Sequence, residues 1–371
     1  MSAAQLILAL NAGSSSLKCA LYEVHDGAAV EAGRSEAEIN GPAADAAAVA
    51  QLLDWAAGLR PDGALAGVGH RVVHGGLHFH NPVLINPPTW RALKELEPLA
   101  PLHQPQSLAA VAAVSNLRPD LPQVACFDTG FHHTMPEVAA RFGLPRALHD
   151  LGVRRYGFHG LSYAYIAERL RALDPALAAG KVVVAHLGSG ASLCAMQDGR
   201  SVDTTMGFSP LDGLVMSTRC GSLDPAVVLF LQSEGRLTPD KVQDLLYRHA
   251  GLLGVSGLSG DMRTLLESDA REAAQAVELF VHQAGREAAA MAAALGGLDG
   301  VVFTAGIGEH SAAIRAKICE KLAWLGVELD PDANAKGGEA RISAPGSRTA
   351  AWVMPTDEER VIAAQTLSCL P

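Results

Sequence analysis

The sequence contains no run of basic residues and few aromatic side chains. Lys and Arg number 29 against 39 Asp and Glu, the formal net charge is −10, and aromatic residues make up 5%. Proteins that bind nucleic acids hold the phosphate backbone with clustered Lys and Arg. No apolar run approaches the roughly 20 residues that a membrane-spanning helix needs, and the N-terminus lacks the basic start of a signal peptide. We therefore expect no nucleic-acid partner and no membrane association.

Cysteine is scarce and irregularly spaced. The six cysteines stand at positions 19, 126, 194, 220, 319 and 369, with no C-x-x-C pair among them. Such a pattern is typical of reduced thiols packed inside a cytoplasmic protein. Cys220, beside Arg219, has a second interpretation as a reactive thiol, although simple packing is favoured.

The length and the alternation of predicted elements indicate a two-domain α/β protein. A chain of 371 residues, 49% of them hydrophobic, exceeds what one core usually serves. Apolar strand patterns at 67–73, 124–127 and 301–303 alternate with helical ones. We expect one domain at 1–135 plus 360–371 and another at 136–359. Thr89 is predicted to cap a helix that runs to Glu97.

Two turns of small residues each separate a pair of apolar runs. Near the N-terminus Leu6–Leu10 precedes N-A-G-S-S-S at 11–16, and later V-V-V-A-H-L precedes G-S-G-A-S at 188–192. Glycine lets backbone N–H groups approach an anion closely. Arg219 follows among small residues that leave a guanidinium free to reach a ligand. The pattern predicts phosphate binding; the alternative is an ordinary hairpin turn in each place.

The segment G-H-R-V-V-H-G-G at 69–76 has two interpretations. Histidines 70, 74 and 78 have the spacing of a helical zinc site, but the valines and the paired glycines favour a strand. On a strand, alternate residues share a face, so Arg71 and Val73 would point together. A guanidinium beside a small apolar side chain suits a carboxylate with a short alkyl tail.

Five further positions carry groups suited to phosphoryl chemistry. Asp128 follows a predicted strand, where α/β ligand sites gather, although an Asx turn or a helix cap is an equal alternative. His159 lies between glycines, and His186 precedes the second small-residue turn. Glu358 and Glu359 suit Mg²⁺, with a solvated helix start as the alternative.

The segment that follows the strand at 301–303 is predicted to be a turn. Gly306-Ile307-Gly308 would admit a flat nucleobase, and Ser311 would cap the next helix. The phosphate-binding motif G-x-x-x-x-G-K-[ST] is absent, as is the H-R-D motif of protein kinases. A kinase of this sequence belongs to neither of those classes.

Taken together, six motifs resemble the acetate kinase family and occur in that family's order. They are N-A-G-S-S-S-L-K at 11–18, G-H-R-V-V-H-G-G at 69–76, F-D-T-G-F-H at 127–132, Y-G-F-H-G at 156–160, T-R-C-G-S-L-D-P at 218–225 and T-A-G-I-G-E at 304–309. The resemblance implies a two-domain actin-like ATPase (ribonuclease H-like) fold with ATP in the interdomain cleft. It also implies reversible, Mg²⁺-dependent phosphoryl transfer from ATP to acetate, giving acetyl phosphate and ADP, in a homodimer. Mn²⁺ is the alternative metal.

The resemblance also assigns roles to individual residues. Catalysis is implied for Arg71, Asp128, His159 and Arg219. Metal binding is implied for Asn11 and Glu358. A pocket for the acetate carboxylate and methyl group is implied for Arg71, Val73, Leu102, Phe158 and Pro210. Nucleotide binding is implied for Lys18, His186, Leu187, Gly188, Ser189, Gly190, Asp261, Met262, Arg263, Gly306, Ile307, Gly308, Glu309 and His310.

Two departures and two alternative functions stay open. Ser189 and His310 stand where the family commonly has Asn, which bears on nucleotide preference rather than on the reaction. A propionate or butyrate kinase of the same fold is one alternative, although Val73 favours acetate. A non-enzymatic ATP-binding scaffold, related to actin or Hsp70, is the other.

Overall fold

The structure is a computed structural model that describes residues 4–13, 16–39 and 42–370. The chain divides into two compact units. Unit 1 comprises Met1–His133, Gly160–Tyr165 and Asp357–Pro371, and unit 2 comprises Thr134–His159 and Ile166–Thr356. The domain ranges expected from the sequence differ from this division at 134–135, 160–165 and 357–359. Ser14 and Ser15, in the first small-residue turn, lie outside the described residues.

Each unit is built around one six-stranded sheet. Unit 1 contains β1 (Ala4–Ala12), β2 (Ser16–His25), β3 (Ala28–Glu38), β4 (Gly63–Val72), β5 (Val83–Leu84) and β6 (Gln123–Phe127). Unit 2 contains β7 (Lys181–Leu187), β8 (Ala191–Gln197), β9 (Arg200–Thr204), β10 (Gly300–Thr304), β11 (Ala340–Arg341) and β12 (Ala350–Val353).

Helices connect and cover these strands. In chain order they are α1 (Pro42–Leu59), α2 (Pro87–Glu95), α3 (Gln104–Leu117), α4 (Glu137–Ala140), α5 (Arg146–Asp150), α6 (Gly160–Leu173), α7 (Pro175–Ala178), α8 (Pro225–Ser233), α9 (Pro239–Arg248), α10 (Gly251–Ser256), α11 (Met262–Leu266), α12 (Arg271–Leu295), α13 (Ala305–His310), α14 (Ala312–Lys321), α15 (Pro331–Lys336) and α16 (Glu358–Cys369). Short 3₁₀ helices occupy Glu97–Leu99, Gly130–Thr134 and Ala323–Leu325. The predicted α/β class is confirmed.

The two sheets have the same topology. Their strand orders are β3-β2-β1-β4-β6-β5 and β9-β8-β7-β10-β12-β11. In both, the first three strands of the unit pair antiparallel. In unit 1, β4 pairs parallel with β1 and β6 pairs parallel with β4, while the edge strand β5 pairs antiparallel with β6. In unit 2, β10 pairs parallel with β7 and β12 pairs parallel with β10, while the edge strand β11 pairs antiparallel with β12. The fold therefore repeats one arrangement of six strands.

Strand β1 contains a continuous apolar run because both of its faces are covered. Successive side chains of a strand point to opposite faces. Leu6, Leu8 and Leu10 join a core with α1 and α3, whereas Ile7 and Ala9 join a second core with α16. A strand that is covered on both faces must be apolar at every position, as the predicted strand is.

Helix α16 packs closely on β4 because β4 carries a glycine at the contact. A Cβ atom on Gly69 would collide with the Thr366 side chain and lie 2.6 Å from Cγ2 of Ile362. Any other residue at this position would push α16 away from the sheet. The glycines of the 69–76 motif thus have a packing role that is separate from chemistry.

Two local predictions were wrong. Helix α2 begins at Pro87, and the cap is Asn86, whose side chain accepts a hydrogen bond from the Thr89 backbone N–H. Residues 306–308 lie in helix α13 rather than in a turn. Ser311, by contrast, caps α14 as predicted, accepting from the Ile314 N–H. Within the described ranges, no helix is long and apolar enough to cross a membrane.

Candidate active site

Asp128, which is buried, and Arg71, which is half-buried, form an ion pair at the carboxyl ends of two neighbouring parallel strands of unit 1. Arg71 lies near the end of β4 and Asp128 directly follows β6. The Arg71 Nε and Nη2 atoms donate to Oδ2 of Asp128 at 3.0 and 2.5 Å. Nη1 donates to the Ala12 carbonyl at 3.1 Å. The Asp128 carboxylate and the Ala12 carbonyl therefore hold the guanidinium at the carboxyl ends of the strands.

The environment of this pair holds the Arg71 guanidinium in its charged form. The Asp128 side chain is 1% exposed and that of Arg71 is 17% exposed. Burial alone would lower the pKa of Arg71, but the charges of Asp128 and Glu358 outweigh it and raise that pKa above its usual value. Asp128 orients a guanidinium, so neither alternative for it, an Asx turn or a helix cap, describes its role. Three of the five N–H donors of Arg71 take part in these contacts.

A second polar group of unit 1 joins the end of β1 to the start of α16. The Asn11 Nδ2 atom donates to Oε2 of Glu358 and to Oε1 of Glu359, each at 2.9 Å. Asp357 caps α16 by accepting from the Arg360 N–H. Glu359 is buried and Glu358 is half-buried, so these carboxylates are not merely a solvated helix start.

The donor set of Asn11 and Glu358 fits Mg²⁺. Mg²⁺ takes oxygen ligands, and proteins usually supply only one or two of them, the rest being phosphates and water. Burial, assisted by Asp128 and Glu359, raises the pKa of Glu358 to about 7 despite the opposing charge of Arg71. A bound cation would offset the free-energy cost of holding a negative charge on the half-buried Glu358 carboxylate. No group of three or more His, Cys, Asp or Glu with metal-binding geometry occurs among the described residues.

Histidines 70 and 74 do not form the helical zinc site. His70 lies within β4 and His74 follows the strand, which confirms the strand interpretation. Both are buried. Burial lowers the pKa of each imidazole to about 4, so both are neutral at pH 7.

In unit 2, Gly190 lies against the two residues expected to act on a phosphoryl group. A Cβ atom at Gly190 would lie 2.5 Å from Nη2 of Arg219 and 3.2 Å from Nε2 of His159. Nη1 of Arg219 donates to the Pro210 carbonyl at 2.6 Å. The small-residue turn after β7 therefore contacts a guanidinium and an imidazole together, and only glycine leaves room for both.

His159 and His186 are held face to face. Their ring centroids are 4.1 Å apart and the planes meet at 19°. Nδ1 of His159 lies 2.9 Å from Oγ of Ser192, the cross-strand neighbour of His186. His159 has a φ of 58°, a conformation that is costly for a residue with a side chain and tends to persist at functional sites.

The segments predicted to bind nucleotide are ordered by their own contacts. Glu309 accepts at Oε1 from the backbone N–H of Ala305 (2.8 Å) and of Thr356 (3.1 Å). Ala305 has a φ of 63°, and with this backbone conformation α13 begins directly after the last residue of β10. Helix α13 includes Gly306, where a Cβ atom would have no described neighbour within 4 Å.

The other nucleotide-binding predictions have different surroundings. Asp261 caps α11 by accepting from the Thr264 N–H at 2.8 Å, an interaction that lowers the pKa of its carboxyl. Arg263 is exposed, whereas Met262 is buried in the core. In unit 1, the exposed Lys18 is the cross-strand neighbour of Asn11.

The predicted acetate-pocket side chains come from both units. Val73 and Leu102 belong to unit 1, and Phe158 and Pro210 belong to unit 2. Val73, Phe158 and Pro210 are buried and Leu102 is half-buried. Their grouping in one pocket stays a prediction.

Arg315, which was not predicted as a site residue, holds helix α13 in place. Its side chain is 1% exposed. Nη1 donates to the carbonyls of Gly308 and Glu309 at 3.0 and 2.8 Å, and Nε donates to Oδ1 of Asn334 at 2.8 Å. Nothing in the sequence distinguishes it from a surface arginine of an amphipathic helix.

Comparisons with known proteins cover almost the whole chain. Residues 27–364 match the family model described as the acetokinase family. The chain belongs to the acetokinase family. It is 53% identical over 384 residues to acetate kinase of Rhodopseudomonas palustris (strain ATCC BAA-98 / CGA009), covering 96% of both chains.

Two solved structures of this family have the same fold at 34% identity. The Porphyromonas gingivalis acetate kinase matches with a TM-score of 0.86, covering 99% of this chain and 100% of that one. A propionate kinase from Francisella tularensis subsp. tularensis SCHU S4 matches with a TM-score of 0.88, covering 98% and 100%. The prediction of an actin-like ATPase fold is confirmed.

Proposed function

We propose that this chain transfers a phosphoryl group reversibly between ATP and acetate, giving acetyl phosphate and ADP. The observation that carries the proposal is the 53% identity, across 96% of the chain, to a protein named acetate kinase. The fixed Arg71 guanidinium of unit 1 and the Arg219–His159 group of unit 2 supply the charges that such a transfer needs.

Arg71 is proposed to orient the acetate carboxylate. The Asp128 carboxylate and the Ala12 carbonyl hold the guanidinium, and two of its N–H donors lie outside these contacts. A carboxylate is already ionised at pH 7, so its oxygen attacks the γ-phosphorus without a general base. Asp128 therefore acts as the partner that positions Arg71 and not as a proton acceptor.

Arg219 and His159 are proposed to offset the charge on the transferring phosphoryl group. Catalysis of phosphoryl transfer is mainly positioning and electrostatic stabilisation. The β7–β8 turn would bind phosphate oxygens through its backbone N–H groups, and the segments 261–263 and 306–310 would bind the nucleoside. Mg²⁺, held by Asn11 and Glu358, would supply positive charge to the phosphate oxygens; Mn²⁺ is the alternative.

The decisive experiment is an assay with ATP and acetate in which acetyl phosphate is trapped as the hydroxamate. The proposal expects product that depends on both substrates and on the divalent metal. The scaffold alternative expects ATP binding without any dependence on acetate. Binding of ATP with no hydroxamate at any acetate concentration would therefore reject the enzyme.

Acetate is proposed as the preferred acid because Val73 narrows the space for an alkyl tail. The chain is equally similar, at 34% identity, to an acetate kinase and to a propionate kinase of known structure. The preferred acid is therefore inferred from the predicted pocket residues and not from overall similarity. One methylene is worth about 1–3 kcal/mol, or about 10–200-fold in kcat/KM. Measuring kcat/KM for acetate, propionate and butyrate tests the choice, and a preference for a longer acid would overturn it.

A homodimer is proposed from helix α8. This nine-residue helix, P-A-V-V-L-F-L-Q-S, has no buried residue, and Leu229 and Phe230 are 65% and 60% exposed. Exposed apolar patches of this kind mark protein interfaces. Light scattering of the purified protein measures the mass directly, and a monomer at micromolar concentration would contradict the proposal. The cytoplasmic location stays a prediction.

A further inference from the structure

We propose that Arg34 is a positioning residue for the metal site: it holds Glu359 and the start of α16 so that Asn11 presents its amide oxygen to the cation. The proposal rests on the proposed function, since that function assigns the metal to Asn11 and Glu358. All the residues involved belong to unit 1.

Arg34 lies on β3 and contacts three carboxylates. Its Nε and Nη2 atoms donate to the two oxygens of Glu31 at 2.9 and 2.6 Å. Nη2 also donates to Oδ2 of Asp357 at 2.6 Å, and Nη1 donates to Oε2 of Glu359 at 3.2 Å. A guanidinium is a rigid planar fork of donors, so its position fixes that of the carboxylates.

The contacts with Glu359 and Glu358 set which way the Asn11 amide faces, because its NH₂ group donates to both carboxylates. Oε2 of Glu359 already accepts from Arg34, and its other oxygen, Oε1, faces Asn11 as a hydrogen-bond acceptor. The amide must therefore turn its NH₂ group toward Glu359, as it does at 2.9 Å. Its carbonyl oxygen is then the end that can offer electron pairs to a cation. Without Arg34, Glu359 loses its contact with the guanidinium, and the amide keeps only Glu358 as a fixed acceptor.

The contact with Asp357 fixes the backbone that carries Glu358. Oδ1 of Asp357 caps α16 by accepting from the Arg360 N–H, while Oδ2 accepts from Arg34. Glu358 is the first residue of this helix. Arg34 therefore holds the residues on both sides of the carboxylate that would bind the metal.

Positioning and simple electrostatics predict opposite effects of removing Arg34. A positive charge near a cation site repels the cation, so Coulomb's law alone predicts tighter metal binding in Arg34→Gln. Positioning predicts weaker binding, because groups that orient metal ligands typically contribute 10–100-fold to metal affinity. Arg34→Lys distinguishes the positioning model from the electrostatic one further, because lysine keeps the positive charge but loses the planar set of N–H donors.

The experiment is a Mn²⁺ titration of the full EDTA-treated chain, followed by the EPR signal of free Mn²⁺. We expect Kd to rise about 10-fold in Arg34→Gln, and also in Arg34→Lys to a smaller extent. Melting temperatures in EDTA should change by only a few degrees, because Arg34 is 43% exposed and exposed ion pairs contribute little.

Two control variants show whether the effect is specific. Glu31→Gln removes the partner of Arg34 that does not touch α16, and Arg169→Gln removes an exposed Arg–Glu pair of unit 2. Both should bind Mn²⁺ within about 2-fold of wild type, since neither touches the assigned ligands. Unchanged or tighter binding in Arg34→Gln, an equal loss in Arg169→Gln, or no Mn²⁺ binding in the wild type would overturn the proposal. Failure of the proposed function would instead appear as absent acetyl phosphate in the wild-type assay.

Discussion

The two sheets of the molecule share one topology and differ in the side chains at the ends of their strands. In unit 1, the ends of β1 and β4 carry Asn11 and Arg71, and Asp128 follows β6. In unit 2, the ends of β7 and β10 carry His186 and Thr304. The first set has an amide, a guanidinium and a carboxylate, and the second has an imidazole and a hydroxyl. The strand order fixes where functional side chains stand, whereas the residues at those positions decide which ligand each sheet suits.

The largest effect is expected from the cation of unit 2. Arg219→Ala should lower kcat by about 10³-fold or more, as for other arginines that stabilise phosphoryl transfer. Hydroxamate assays at saturating ATP and acetate measure it. Lysine at the same position should recover part of the rate, because the charge returns without the second N–H group. Near-normal turnover in the alanine variant would remove Arg219 from the mechanism.

The buried charges of unit 1 should matter for stability as well as for activity. Asp128→Asn leaves the Arg71 charge without its partner and should lower the free energy of unfolding by about 3 kcal/mol. The control is Arg169→Gln, which breaks the exposed pair with Glu339 in unit 2 and should cost less than about 1 kcal/mol. Urea unfolding measures both. Equal losses would show that burial does not distinguish the two pairs.

The two small-residue turns should tolerate a methyl group differently. Gly190→Ala displaces Arg219 and His159, and kcat should fall about 100-fold because small displacements of catalytic groups are costly. At Gly13, among the residues that the structure describes, a Cβ would meet only the Ser16 carbonyl oxygen, at 3.1 Å, so Gly13→Ala should lose less than about 10-fold. The control is Gly346→Ala: a Cβ atom there has no neighbour within 4 Å among the described residues, so this variant measures the effect of replacing glycine by alanine without a steric collision. Matching losses at Gly13 and Gly190 would contradict the comparison.

Acid should weaken unit 1 through its buried histidines. The folded pKa of His70 is lowered to about 4, below its unfolded value, so the unfolded chain binds a proton first. The stability from the neutral imidazole is complete above about pH 6.5 and falls as the pH approaches 4. Between pH 6.5 and 5 the loss should be about 2 kcal/mol for His70. Urea unfolding of the wild type and of His70→Gln tests this, and an unchanged pH slope in the variant would reject it.

Apolar strands and small-residue turns could be predicted from the sequence because their signals are local. The strand at 124–127 and the hairpin around Gly188 needed only alternation of apolar runs and glycines. Helix α13 could not be predicted, because it depends on Glu309 and on Arg315, whose partners include residues distant in sequence. Arg34 was missed for the same reason: its contacts with α16 lie more than 300 residues away.

Helix α16 contributes to the first sheet although it is translated after the whole of unit 2. Asn11 and Glu358 are separated by 347 positions, which at 5–20 residues per second corresponds to roughly 20–70 s of synthesis. During that time the face of β1 that carries Ile7 and Ala9 has no α16 to cover it. Unit 1 should therefore complete its fold later than unit 2 during synthesis, once α16 is available to pack on β1.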